Sequence, residues 1–180
     1  QNPREHYRRA EAAAKKIFQS GALLISIGGD HGIPIPIMRA LPADESVTLI
    51  QIDAHMDWRD NVNGEKDGYS SPIRRASELP FVKDIFQIGL RGVGSGREEE
   101  REAALNYGAH LISAYEMHDI GIEAVLKRIP DGGRFYITVD ADGMDPTVMP
   151  AVNAPTPGGL TWLQIREFVH GIVKKGRVLG

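Results

Sequence analysis

Short apolar runs of strand length alternate along this chain with segments of helical composition. Residues 22–27, 47–53, 85–90, 110–113 and 134–139 are the apolar runs. Their length and near-continuous hydrophobicity predict strands buried on both faces. Residues 8–19 are rich in Ala, Lys and Arg, and Gly21 follows as a C-terminal stop. Further helices are predicted over 33–41, where Pro34 suits a first turn and Pro36 blurs the start, and over 97–107, closed by Gly108. Residues 122–128 and 162–174 complete the set, the latter with Thr161 as N-cap. Residues 58–71 and 143–160 are polar or rich in Pro and Gly and read as long loops. This alternation predicts a parallel sheet covered on both faces by helices, in one domain over 1–180 without repeat or linker. The polar start lacks Met and a signal-like apolar stretch, and residues 176–180 read as a strand cut short. The chain is therefore expected to be an internal piece of a longer protein.

Composition narrows the classes. Of 180 residues, 42% are hydrophobic and 25% charged, which excludes a fibre or a disordered tail. A net charge of −3 argues against nucleic acid or an anionic membrane as partner. No apolar run approaches the roughly 20 residues that span a bilayer. The absence of cysteine removes disulfides, thiolate zinc sites, iron–sulfur clusters and Cys nucleophiles, and suits a cytoplasmic location.

Three acidic clusters share one address. Gly28-Gly29-Asp30-His31-Gly32, Asp53-Ala54-His55-Met56-Asp57 and Asp140-Ala141-Asp142-Gly143-Met144-Asp145-Pro146 each begin where an apolar run stops. Ligands of parallel sheets bind at the carboxyl ends of strands. In extended backbone, positions i, i+2 and i+4 share a face. Asp53, His55 and Asp57 are thus expected to converge, as are Asp140 and Asp142, with His31 beside them. Two like charges about 4 Å apart repel by roughly 4 kcal/mol at an effective dielectric of 20. The three motifs contain no Lys or Arg, so the counter-charge is expected from divalent cations. Mixed carboxylate and imidazole ligands suit Mn²⁺.

These motifs resemble the signatures of the ureohydrolase family, the arginases and agmatinases, with the agmatinase-like branch nearer. Residues 88–92 (Ile-Gly-Leu-Arg-Gly), 72–76 (Pro-Ile-Arg-Arg-Ala) and 155–160 (Pro-Thr-Pro-Gly-Gly-Leu) extend the match. The resemblance implies a three-layer α/β/α fold, a pair of Mn²⁺ ions in each subunit, and a trimeric or hexameric homo-oligomer. One ion would take His31, Asp53, Asp57 and Asp140; the other would take His55, Asp53, Asp140 and Asp142. Asp53 and Asp140 would bridge. Asp30 would orient ligands by hydrogen bonds, and Asp145 would support the turn that presents the Asp pair. The implied activity is hydrolysis of a guanidino compound to urea and an amine, with water acidified by the metals and Asp142 moving the proton.

The match has departures. Tyr69 stands where many members carry a His implicated in proton transfer, and a phenol with pKa near 10 is a poor shuttle at pH 7. Tyr69 is retained as a candidate catalytic or substrate-binding group. Gly32 replaces a frequent Ser, and residues 149–155 differ from the family's usual loop, which makes Asn153 a candidate for contact with substrate; Trp58, beside the second motif, reads equally as a mouth residue or as core or rim packing. The family's guanidinium-gripping Glu is expected beyond Gly180. His6, His110, His118 and His170 lack clustered partners and read as surface or packing residues. The competing readings are a ureohydrolase-like subunit with a structural or regulatory role and weak turnover, which urea release would separate, and two enzymes. A metallophosphoesterase would need Gly-Asp-x-His and Asn-His motifs that this sequence lacks. An arginase-like deacetylase would hold one zinc through a different Asp/His pattern.

Overall fold

The computed structural model describes residues 3–180. Gln1 and Asn2, which begin the polar N-terminal stretch, lie outside the described residues. Two helices come first, α1 (Pro3–Gln19) and α2 (Pro34–Arg39), then β1 (Val47–Ile52) and α3 (Pro72–Ser77). Next are β2 (Val82–Leu90), α4 (Glu98–Tyr107), β3 (His110–Ser113), α5 (Ala114–Ile120) and α6 (Ile122–Lys127). The chain continues through β4 (Arg134–Val139), a 3-10 turn at Ala141–Gly143, α7 (Trp162–Lys175) and β5 (Arg177–Val178).

The five strands form one parallel sheet in the order β3-β2-β1-β4-β5. Parallel neighbours need crossover connections, and helices supply them. Every residue of β1 is buried, and the pleat sends alternate side chains to opposite faces. Val47 and Leu49 join a core with Ala14 of α1, Met38 of α2, Ala76 of α3 and Ala104 of α4. Ile50 and Ile52 join the opposite core with Met117 of α5, Val125 of α6 and Phe168 of α7. This is the expected three-layer arrangement, with α1–α4 on one face and α5–α7 on the other. Burying each of these aliphatic side chains is worth about 1.5–3 kcal/mol.

Local chemistry sets the helix ends. Thr161 Oγ1 accepts from Gln164 N at 3.2 Å, while Gln164 Oε1 accepts from Thr161 N at 2.9 Å, a reciprocal cap at the start of α7. Gly108 closes α4 in the left-handed conformation (φ 93°) that costs glycine least.

One predicted strand does not form. Residues 22–28 run without a ladder, and Leu23, Ile25 and Ile27 are exposed. A cleft of about 370 Å³ separates this segment from β4. The ladder between β4 and β5 reaches only Ile137, whose N–H donates to Gly180 O at 2.9 Å. The run has strand composition but no strand to pair with. Conversely, α3 and α5 were not predicted. α3 begins on Pro72, directly after the stretch read as loop, and α5 follows β3 directly, capped by Ser113 Oγ accepting from Glu116 N at 3.0 Å. Among the described residues no helix is long and apolar enough to cross a membrane.

Candidate metal centre

The strand order reverses at β1. From there the chain builds β2 and β3 on one side, then crosses to β4 and β5 on the other. The crevice outside the carboxyl ends of β1 and β4 is therefore the switch point where ligands of open parallel sheets bind. Asp53 leaves β1 there and Asp140 leaves β4. Asp53 N donates to Ile88 O at 3.0 Å and Asp140 N to Ile52 O at 2.9 Å, so both backbones are held by neighbouring strands. Gly143 presses on the same point: a Cβ there would lie 2.9 Å from Asp53 N, closer than packing allows.

The acidic side chains converge, but through turns rather than extended backbone. Residues 53–57 bend out of β1, and Asp57 adopts φ 53°, a left-handed conformation that Asp tolerates better than most residues. His55 N donates to Asp53 Oδ1 at 2.7 Å. Asp140 caps the 3-10 turn, its Oδ1 accepting from Asp142 N at 3.2 Å. His31 follows no strand; it stands on the turn into α2. Asp30 Oδ1 accepts from Gly32 N at 2.9 Å, so Asp30 shapes the turn that presents His31. The Tyr7 hydroxyl occupies the space that a Cβ on Gly32 would need, which accounts for glycine at that position.

Two sets of three ligand atoms result, each within 4.8 Å of one another: His31, Asp53 and Asp57, and Asp53, His55 and Asp142. In the first, His31 Nδ1 lies 2.7 Å from Asp57 Oδ2 and 3.0 Å from Asp53 Oδ2, with Asp140 Oδ2 at 3.4 Å. His31 Nε2 faces Thr138 Oγ1 at 2.9 Å. In the second, His55 Nδ1 lies 3.2 Å from Asp142 Oδ2 and 3.4 Å from Asp53 Oδ1. Asp142 is also anchored by Ala54 N, which donates to its Oδ1 at 3.3 Å. The carboxylate common to both sets is Asp53, which sends one oxygen to each. Asp140, expected to bridge as well, stands beside His31 and belongs to neither set.

Every ion pair that the structure gives these carboxylates comes from an imidazole. Burial would lower the His31 pKa, but hydrogen bonds and charge from Asp53 and Asp57 outweigh it and push it up to about 11. Asp142 and Asp53 raise His55 to about 10. Burial works to raise Asp53, and donation from His31 and His55 holds it low. Asp57 and Asp140 are pushed up, first by burial and then by the charge of Asp53. Buried carboxylates competing for two imidazoles lack positive charge. Hard oxygen and imidazole donors in this geometry fit a divalent cation such as Mn²⁺.

The other predicted residues fall in different places. Asp145 lies outside the cluster and ties loops together: its Oδ1 accepts from Thr147 N and Oγ1 at 3.0 and 2.6 Å, and its Oδ2 from Gly158 N at 2.8 Å. Asn153 is exposed in the Pro-rich loop, and Tyr69 is 66% exposed on the turn before α3. Trp58 is a correction. Only 2% exposed, it packs against Tyr107 at 5.9 Å between ring centroids and belongs to the core rather than to the mouth of the crevice. Two residues escaped prediction. Thr138 backs His31, and its signal was a threonine hydroxyl next to the end of a mostly apolar strand. Buried Arg91 donates to the carbonyls of Asp142 (2.7 Å), Met144 (3.1 Å) and Thr156 (2.7 Å), pinning the Asp142 turn to the Pro-rich loop. A cation at the end of a buried apolar strand was its signal.

Comparison with known proteins accords with this geometry. The chain is 32% identical over 171 residues to a guanidinopropionase of Pseudomonas aeruginosa, covering 92% of this chain and 54% of that protein. It is 31% identical over 174 residues to an agmatinase of Bacillus subtilis, covering 96% and 58%. The crystal structure of agmatine ureohydrolase of Thermoplasma volcanium superposes with a TM-score of 0.84 at 30% identity, over 98% of this chain and 59% of the other. The chain thus spans a little over half the length of these relatives. The sequence profile of the Arginase family matches residues 1–180, and the chain belongs to that family, on its agmatinase-like branch.

Proposed function

We propose that the protein is a binuclear manganese hydrolase that splits a guanidino compound into urea and an amine. The observation that carries this reading is the pair of carboxylate–imidazole sets sharing Asp53 at the switch point of the sheet. His31, Asp53, Asp57 and the adjacent Asp140 would hold one ion, and Asp53, His55 and Asp142 the other. Bound there, two Mn²⁺ ions would supply Lewis acidity and water acidified to near neutral pH. The relatives named as guanidinopropionase and agmatinase support a guanidino substrate.

The chain's own residues then have distinct tasks. The carboxylates make the crevice attractive to a cationic guanidinium. Asp142 is held by Ala54 N and faces His55, so its free electron pairs have a defined direction. It would accept a proton at Oδ2 and return it to the departing amine. Asp145 and Arg91 fix the loops on either side of that turn. Exposed Tyr69 and Asn153 would meet the substrate beyond its guanidinium, where chain length and charge distinguish one guanidino compound from another. We further propose a cytoplasmic enzyme that assembles as a homo-oligomer, as the resemblance implies.

The test is urea release by the Mn²⁺-loaded protein with arginine, agmatine, 4-guanidinobutyrate, 3-guanidinopropionate and guanidine. One strongly preferred substrate, with turnover abolished in Asp142→Asn, is the expected result. No urea from any of them, with two ions bound, would favour the structural or regulatory reading.

A further inference from the structure

Two glutamines interrupt the most deeply buried strands. Gln51 of β1 and Gln87 of β2 are register partners and are completely buried. Both point to the face covered by α1–α4, between the sheet and buried Trp58. A buried amide costs stability unless its groups are satisfied, and here they are satisfied in series. Trp58 Nε1 donates to Gln87 Oε1 at 2.5 Å. Gln87 Nε2 donates to Gln51 Oε1 and, at 2.7 Å, to Met56 O. Gln51 Nε2 donates to Asp53 Oδ2 at 2.6 Å and reaches His55 O at 3.4 Å.

The two ends dictate the direction of this chain. An indole N–H can only donate, and an ionised carboxylate can only accept. Neither amide can flip without facing like against like. Successive hydrogen bonds of one polarity reinforce each other, and the last is aimed at Asp53 Oδ2. That oxygen is the one turned to His31, whereas Oδ1 is turned to His55 and held by the His55 N–H. The two oxygens are therefore fixed by separate donors: a backbone N–H on the His55 side and the amide chain on the His31 side.

We infer that Trp58, Gln87 and Gln51 form a positioning relay that sets the orientation of the Asp53 carboxylate and thereby the affinity of the His31-side ion relative to the His55-side ion. The inference rests on the binuclear reading above. It gives Trp58 a second consequence: the indole is coupled through two amides to the shared carboxylate, so its emission reports occupancy of the centre. Trp162, the other tryptophan, is exposed at the start of α7 and can be removed as Trp162→Phe.

The experiment titrates Mn²⁺ into metal-free protein in the Trp162→Phe background, following free Mn²⁺ and Trp58 emission together. Gln51→Met keeps side-chain length and removes the donor to Asp53. It is expected to weaken the His31-side ion about 10–100-fold, the range for removing a partner that orients a ligand, with a smaller effect on the other ion. The metal-dependent emission change should disappear. Trp58→Phe, which preserves the ring packing against Tyr107 and tests the far end independently of how Gln51→Met folds, should weaken the same ion by only ~2–3-fold. Unchanged affinities in both variants, or equal loss at the two ions, would overturn the relay while leaving the binuclear reading intact. No Mn²⁺ binding by the parent would overturn both.

Discussion

The two halves of the centre are built to different standards. His31 is sealed in: its side chain is 8% exposed, three carboxylates crowd Nδ1, and Thr138 holds the other nitrogen. His55 is more open: its side chain is 32% exposed, and among the described residues its ion-pair partners are Asp53 and Asp142. The structural reason is local. His31 stands on the turn into α2 and against Thr138 of β4, while His55 sits on a partly exposed bend after β1. If both sets hold metal as proposed, the sealed one with its extra carboxylate would exchange its ion slowly, and the open one would leave room for substrate. On the proposed function, the centre would divide into an anchoring side and a reactive side, with Asp53 common to both.

Breaking the joint should have the largest effect. Asp53→Asn is expected to abolish binding of both ions and reduce urea release by more than about 10³-fold, measured by metal analysis and turnover. The same variant leaves buried His31 with fewer carboxylate partners and should destabilise the metal-free protein by about 3 kcal/mol in chemical denaturation. Next come the sides taken singly. Asp57→Asn should weaken the anchoring ion about 100-fold by calorimetry, whereas Asp142→Asn should spare that ion, weaken the reactive-side ion and abolish turnover. The reverse pattern would invert the division of labour.

Protonation supplies a smaller effect. His31 and His55 hold protons up to about 11 and 10 in the metal-free fold, against about 6.5 when unfolded. Their contribution to stability is complete below pH 6.5 and is lost as pH rises through the folded values. The melting temperature of EDTA-treated protein should therefore fall between pH 7 and 10, apart from other titrations. Metal must displace these protons, so apparent Mn²⁺ affinity should rise with pH, and calorimetry in buffers of different ionisation enthalpy should show proton release. Smallest is Thr138→Val, expected to weaken only the anchoring ion, by about tenfold.

The same contrast shows what could be read from the sequence. The residues that converge were legible because each motif lies where an apolar run stops, and β1 and β4 match their predicted runs within a residue. The mode of convergence was not. Alternation in extended backbone predicts a shared face, but Asp57 reaches the site through a left-handed turn and Asp142 through a 3-10 turn. Residues 22–27 have the composition of a buried strand, yet pairing is non-local and composition names no partner edge. α5 carried a readable signal in Ser113 and Glu116, a cap three residues apart. Trp58 followed a metal motif in sequence but turns inward, because its indole N–H has a buried acceptor in Gln87.

The most direct test of the shared centre is electron paramagnetic resonance of the protein titrated with Mn²⁺. Two ions joined through one carboxylate predict an exchange-coupled spectrum that reaches full intensity at two equivalents and reverts to that of an isolated ion in Asp142→Asn. Saturation at one equivalent, or two uncoupled ions in the parent protein, would contradict the account.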